Sequence, residues 1–183
     1  MDLSMFHKRQ GQMLHNQVYF YTDTIIDFKH LLGKENMKLI VIDSLKYLVD
    51  QKWAEIHGYV IMPNHIHLLW NILNHTRKES VAGSFSKFTA HQFKKYLQAS
   101  DVSLLQNFQS DKADRMFQFW QRDPLAIPIS NEHILIDKLN YIHNNPIKDK
   151  WKLAILPEDY RFRSASFYKY GKDEFGFLTH FRG

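Results

Sequence analysis

His65 and His67 flank Ile66 in the run Pro63-Asn64-His65-Ile66-His67-Leu68-Leu69, which otherwise reads as buried strand. Residues i and i+2 of a strand share a face, so both imidazoles point to one side of a sheet and can offer nitrogen to the same cation. Two imidazoles alone make a weak site for a hard divalent ion, and in a chain with eleven histidines such a pair also arises as ordinary polar surface. A second group of residues far down the chain favours the metal reading.

That group is Tyr141-Ile142-His143-Asn144-Asn145-Pro146, which closes a segment with apolar residues at helical spacing from Glu132 to Ile142. Ser130 or Asn131 can cap its start, and Pro146 limits its continuation. Four residues apart on a helix, Tyr141 and Asn145 stand one above the other and present a phenol and an amide oxygen together. If that face lies against His65 and His67, two imidazole nitrogens and an amide oxygen surround one ion, with positions left for phosphate oxygens and water. Such a set suits Mg²⁺ or Mn²⁺ when a substrate phosphate completes it. His143 and Asn144 point elsewhere and read as turn, cap or DNA-facing residues. The competing reading of Tyr141 is a helix tyrosine packed on a sheet with its hydroxyl at the rim.

In these motifs the chain resembles the single-tyrosine HUH transposases, through His65-Ile66-His67, and especially the REP-associated tyrosine transposases and their insertion-sequence relatives. The order of Gly58 to Leu69, Phe119-Trp120-Gln121-Arg122, Tyr141 to Pro146 and Pro157 to Ser166 carries the resemblance, over about residues 12–170. It implies an α+β, ferredoxin-like fold, a central antiparallel β-sheet with the histidines on a central strand and helices packed mainly on the opposite face. It also implies metal ligands at His65, His67 and Asn145 and a nucleophile at Tyr141. Asp123 to Ser130 departs from the aromatic, histidine-containing stretch of that family, which bears on substrate positioning more than on chemistry.

A phenol, with an ordinary pKa of about 10, attacks phosphorus poorly at neutral pH unless a cation or base assists it. Attack by Tyr141 would join it to the 5′ side of the break and free a 3′-hydroxyl. A 3′-hydroxyl from another strand could then reverse the step, giving strand transfer without ATP. Two rival readings remain open: a metal-dependent nuclease in which water attacks, and a protein that binds hairpin DNA without cutting.

Twenty-four Lys and Arg against nineteen Asp and Glu leave a formal charge of +5, which attracts a phosphate backbone without proving one. The expected DNA contacts are Lys87, Lys94 and Lys95 at helical spacing, Arg122, and Lys148, Arg161 and Arg163 beyond the tyrosine segment. Trp120, Tyr160 and Phe162 stand among charges as stacking candidates for unpaired bases, while Phe85, Phe88 and Phe93 face a core. The expected partner is single-stranded or hairpin DNA, with a monomer favoured over a dimer.

The elements that must position these residues read as one domain over 1–183, with an N-terminal arm at 1–16 and a C-terminal tail at 171–183 that reaches over the active site or a partner. A short strand spans Val18 to Thr22. An amphipathic helix covers Glu35 to Asp50 with Leu39, Ile42, Leu45, Tyr47 and Leu48 as its apolar set. Two strands flank Pro63-Asn64, a helix runs from Ser80 or Gly83 to Leu97, and a strand is expected over Arg115 to Arg122 with Phe117, Phe119 and Gln121 on one side. With no cysteine, disulfides and zinc-thiolate sites are excluded. No apolar run reaches membrane-spanning length and no signal peptide is evident, so a cytoplasmic location is expected.

Overall fold

Strand β1 (Gln17–Thr24) is followed by a hairpin of β2 (Ala54–Ile61) and β3 (His65–Ile72), whose turn at Pro63-Asn64 is closed by the Met62 amide donating to the His65 carbonyl at 2.8 Å. The structure is a computed structural model and describes residues 13–73 and 79–183. β1 pairs antiparallel with β3, and the short β4 (Leu125–Pro128) pairs antiparallel with β1, so the sheet order is β2-β3-β1-β4. Helix α1 (Glu35–Asp50) connects β1 to β2, and α2 (Val81–Ser100) lies between β3 and β4. This β-α-β-β-α-β order is the ferredoxin-like α+β fold, with the histidine strand central. Three further helices follow: α3 (Val102–Gln106) after α2, and α4 (Glu132–Asn144) and α5 (Ala165–Tyr170) after the sheet is complete.

Pairing register decides which side chains meet. Thr22 lies opposite His67 and Thr24 opposite His65, so these residues, with Phe20 and Leu69, share one face of the sheet. Tyr21, Asp23, Ile66, Leu68 and Trp70 share the other. The crossover helix α2 packs on that second face, where the Ser86 hydroxyl donates to Asp23 Oδ2 at 3.2 Å, and α1 packs against α2. Helix α4 covers the histidine face.

Gly58 permits that last contact. A Cβ built there would stand 2.6 Å from Leu139 Cδ1 of α4, so the helix carrying Tyr141 rests directly on a strand without a side chain. Gly58→Ala is expected to lower stability by about 1 kcal/mol, at the low end for overpacking because the obstructing atom is a side-chain tip. Trimming that tip as well, in Gly58→Ala/Leu139→Val, should recover most of the loss in a urea titration.

Asp23 is buried with its oxygens accepting from the Tyr21 hydroxyl (3.0 Å), the Ser86 hydroxyl and the Thr24 amide (2.9 Å). Burial raises its pKa to about 7 against these opposing hydrogen bonds. An unfolded aspartate titrates near ~3.9, so between ~4 and 7 the folded state binds the extra proton, and stability is lost as pH rises through that window. Asp23→Asn should therefore be more stable than the wild type at pH 8, by on the order of 1–3 kcal/mol, and lose the advantage near pH 4; urea midpoints at the two pH values measure it.

The periodicity of α1 is met in part: of the expected apolar set Ile42, Leu45 and Leu48 are buried, whereas Leu39 is half-buried. Met37, Val41, Ile42, Leu45 and Leu48 form its buried stripe, while Tyr47 is exposed and packs edge-on against Trp53. In α2, capped by the Ser80 hydroxyl accepting from the Gly83 amide at 3.0 Å, the Phe85-Thr89-Phe93-Leu97 stripe is buried and Phe88 is exposed, against the expectation that it faces the core. The larger correction concerns Arg115 to Arg122, which forms only the isolated bridges Gln109 to Phe117 and Ile25 to Trp120. Its alternation is satisfied by rings, since Phe119 stacks on Phe108 and meets Phe93 edge-on, and Trp120 packs against Phe85 and Phe93. The fourth strand forms from Leu125–Pro128 instead, whose half-exposed residues carry little of the apolar alternation that marks a strand.

Residues 1–12 of the expected N-terminal arm lie outside the described residues; beyond them Met13 is buried and the Leu14 amide donates to the Tyr19 hydroxyl at 2.8 Å. The C-terminal stretch runs along the outer edge of β2. The Ile61 amide donates to the Phe162 carbonyl, the Ser164 amide to the Tyr59 carbonyl and the Thr179 amide to the Ile56 carbonyl, which occupies an otherwise open edge. Arg182 bonds Glu132 at the start of α4, so the tail lies along β2 and the far end of that helix and not over the active site, the first of its two expected placements. Among the described residues no helix is long and apolar enough to cross a membrane.

Candidate active site

The hairpin, β1 and the end of α4 bring three of the four expected chemical residues into ring contact or adjacency. The His65 and His67 rings lie 4.7 Å apart, and the Tyr141 ring stands 5.3 Å from that of His67. Asn131 caps α4 by accepting from the Ile134 amide at 3.0 Å, and the helix runs to Asn144 before tightening into a 3-10 turn over Asn145–Ile147. Asn145 keeps helical dihedrals (φ −60°, ψ −45°), so the four-residue spacing from Tyr141 survives the approach to Pro146. It is buried, and its side chain makes no hydrogen bond to another described residue. Tyr141 is 43 % exposed, so its hydroxyl is accessible from solvent.

Each histidine is oriented by a partner at Nδ1. Asn64 donates its amide to the Phe28 carbonyl at 3.2 Å, which turns its Oδ1 toward His65 Nδ1 at 2.7 Å. Because that oxygen only accepts, His65 Nδ1 carries the proton and Nε2 keeps a free lone pair. His67 Nδ1 lies 2.7 Å from the Thr22 hydroxyl, and its ring is stacked on Phe20. His67 Nε2 is buried without a hydrogen-bond partner, in a side chain only 5 % exposed. Polar atoms so placed are rare, and when Nδ1 donates its proton to the Thr22 hydroxyl, Nε2 presents the unpartnered lone pair that a metal site uses.

Electrostatics keep these rings neutral. Burial, then Lys150 and Lys148, lowers the His65 pKa to about 4; burial, then His65, Lys148 and Lys138, holds His67 well below the usual imidazole range. The Lys148 ammonium lies 3.9 Å from the centre of the Tyr141 ring, and Lys138 lies 4.8 Å from that of Phe20. The site thus presents neutral nitrogen bases bordered by cations, an environment suited to an anionic phosphate.

Two oriented imidazoles, one of them with an orphaned Nε2, are donors that fit a divalent cation of the Mg²⁺ or Mn²⁺ kind. Among the described residues no group of three or more His, Cys, Asp or Glu is placed to hold a metal ion.

The other sequence candidates are distributed differently. Lys87, Lys94 and Lys95 lie on α2, across the sheet from the histidines; Lys87 faces Glu79 at 3.8 Å and Lys94 covers the Phe117 ring. Arg122 lies 3.7 Å from Asp114, and Arg161 is paired with Glu174 and Glu35. Only Lys148 of these cations stands at the tyrosine. Trp120 is 7 % exposed and donates to the Thr89 hydroxyl at 2.8 Å, so it is a core residue and not a stacking surface. Tyr160 and Phe162 are buried likewise. Arg163 is buried beside β2 with its guanidinium donating to the Tyr160 carbonyl, and does not present a cation to DNA. His143 faces inward, its Nε2 2.9 Å from the Ser164 hydroxyl, and burial lowers its pKa to about 4.

Thr22, Asn64 and Phe20 escaped the sequence reading. Asn64 could have been found as the immediate neighbour of His65, whereas Thr22 and Phe20 depend on the register of β1 against β3, for which the sequence carries no local signal.

No protein-family model matches the chain, and no curated protein matches its sequence. Among solved structures, a protein from Deinococcus radiodurans R1 assigned provisionally as a transposase covers 75 % of this chain and 96 % of its own, at 16 % identity and a TM-score of 0.44. A REP-associated tyrosine transposase bound to a REP hairpin is similar over 94 % of this chain and 91 % of its own, at 16 % identity and a TM-score of 0.61, and the chain accordingly has a transposase-like fold.

Proposed function

We propose that the protein is a metal-dependent transposase-type enzyme that cleaves and rejoins single-stranded, hairpin-containing DNA through a 5′-phosphotyrosine intermediate on Tyr141. The observation that carries this reading is the solvent-accessible phenol of Tyr141 beside an oriented histidine pair, one of whose ring nitrogens is buried without a partner. The fold shared with a hairpin-bound tyrosine transposase supports the choice of substrate.

In this reading His65, His67 and Asn145 would hold Mg²⁺ or Mn²⁺, which would supply charge withdrawal from the non-bridging oxygens of the scissile phosphate. Thr22 and Asn64 hold the imidazoles by Nδ1 with Nε2 directed to the site. Lys148 lies over the phenol and favours negative charge both on its oxygen and on an incoming phosphate. The Tyr141 oxygen attacks phosphorus, a P–O bond to tyrosine forms, and the bond from phosphorus to the 3′-oxygen breaks. The proton lost by the phenol is balanced by the one gained by the departing 3′-hydroxyl. Attack by a different 3′-hydroxyl on the phosphotyrosine reverses these steps and joins a new strand.

The test is incubation of labelled hairpin DNA from the region flanking the gene with Mg²⁺, Mn²⁺ or chelator, followed by denaturing gel electrophoresis. A metal-dependent protein-DNA adduct is the expected result. Cleavage without an adduct would establish hydrolysis by water, and tight binding with no cleavage would establish a hairpin-binding protein.

A further inference from the structure

A cavity of about 490 Å³ opens between the end of β1 and the segment that follows α3, within the size range of small-ligand sites. Asn107, Gln109, Gln118 and Gln121 line it together with the cations Lys29, Lys112 and Arg122 and the carboxylates Asp27 and Asp111, with Gln118 Nε2 donating to the Trp120 carbonyl at 3.1 Å. A carboxamide presents a donor and an acceptor side by side, the pattern that matches the edge of an unpaired base. None of the residues assigned to the reaction lines this cavity.

Its rim is strained. Asp27, in the cavity wall, and Phe28, next in the chain, are successive non-glycine residues with left-handed φ of 55° and 54°. Left-handed backbone at a bulky residue persists only where its surroundings impose it, and such strain concentrates at functional positions. Here the Phe28 amide donates to the Ile25 carbonyl at 2.9 Å and its carbonyl accepts from Asn64, yet its ring is 62 % exposed. The strain therefore displays an aromatic face to solvent instead of burying it.

This feature is tied to the candidate active site. Asn64 bridges the Phe28 carbonyl and His65 Nδ1, and the Gln121 amide donates to the carbonyl of Thr24, the strand partner of His65. The cavity and the exposed ring thus stand at the His65 end of the sheet.

We propose that Phe28 and this cavity form a base-reading subsite for an unpaired nucleotide of the DNA strand that enters the active site. Phe28 supplies the stacking face, the carboxamides pair with the base edge, and Arg122 faces the backbone. The inference rests on the reading of the protein as an enzyme of single-stranded DNA and deepens it by naming where a flanking base is held.

The test uses the full chain and a hairpin oligonucleotide with single-stranded flanks, carrying 5-iododeoxyuridine at successive flank positions for photocrosslinking and a fluorophore for anisotropy. Crosslinks are expected on Phe28 or within residues 107–122, unaffected by excess free deoxynucleoside monophosphates. Phe28→Ala should bind about tenfold more weakly and Phe28→Tyr nearly as well as the wild type. Phe28→Gly, which relieves the left-handed strain, should weaken binding without lowering the melting temperature, a combination that a purely structural role for the ring does not produce. Unchanged affinity in both Phe28→Ala and Gln118→Ala, crosslinks confined to other segments, or their displacement by free nucleotide would overturn the subsite. Loss of the Tyr141 adduct with the crosslink retained would instead overturn the cleavage reading and leave the subsite standing.

Discussion

Tyr141→Phe is expected to abolish the covalent protein-DNA adduct and to lower strand cleavage by at least ~10⁴-fold, while hairpin affinity changes little. The substitution removes one oxygen from a ring that is 43 % exposed and leaves the ring's contacts with His67 and Phe20 in place. No hydrogen bond from this hydroxyl to another described residue is lost, so the melting temperature should stay within a degree or two of the wild type. Loss of the adduct with an unchanged fold therefore isolates the nucleophile. If Tyr141→Phe cleaved at the wild-type rate, tyrosine chemistry would be excluded and water would be the attacking group.

His67→Ala is expected to remove metal-dependent cleavage, by ~10²-fold or more, and to weaken Mn²⁺ binding measured by calorimetry in the absence of DNA. His67 is also stacked on Phe20 in a buried position, so truncation leaves a cavity and costs stability of about 1–3 kcal/mol. Thr22→Val separates the two effects. It keeps the volume near the ring but removes the hydroxyl 2.7 Å from His67 Nδ1, and should weaken Mn²⁺ affinity by about 10–100-fold with a smaller change in stability. Equal Mn²⁺ binding by the wild type and both variants would refute the histidine-centred site, whatever happens to cleavage.

Much of this was legible in the chain. The i, i+2 spacing puts His65 and His67 on one face because successive strand residues alternate, and this holds wherever the strand is placed. The 3.6-residue period likewise aligns Tyr141 with Asn145, and the Asn131 cap and Pro146 mark the ends of their helix. Helix α1 follows from its own apolar spacing down to its boundaries at Glu35 and Asp50. Each of these is a local property, set by backbone geometry within a few residues.

What needed the tertiary structure was everything that depends on which segments meet. Apolar alternation in Arg115 to Arg122 is the same signal whether the rings face a sheet neighbour or a helix, and here α2 and Phe108, just after α3, take them, leaving the pairing site on β1 to Leu125–Pro128. Arg163 and Trp120 read as available cation and stacking surface, but the chain returns along β2 and folds over α2 so that both are buried. The sequence by itself determined the pairs His65/His67 and Tyr141/Asn145, while the ferredoxin-like fold came from the family resemblance and its fourth strand was placed only by the structure. Only the tertiary structure decided that Tyr141 meets His67, that Thr22 and Asn64 orient the imidazoles, and that Lys148 alone of the candidate cations reaches the phenol. Side-chain periodicity is imposed within an element, whereas register and docking are fixed by residues distant in the chain, such as Gly58 beneath Leu139, whose meeting no local pattern encodes.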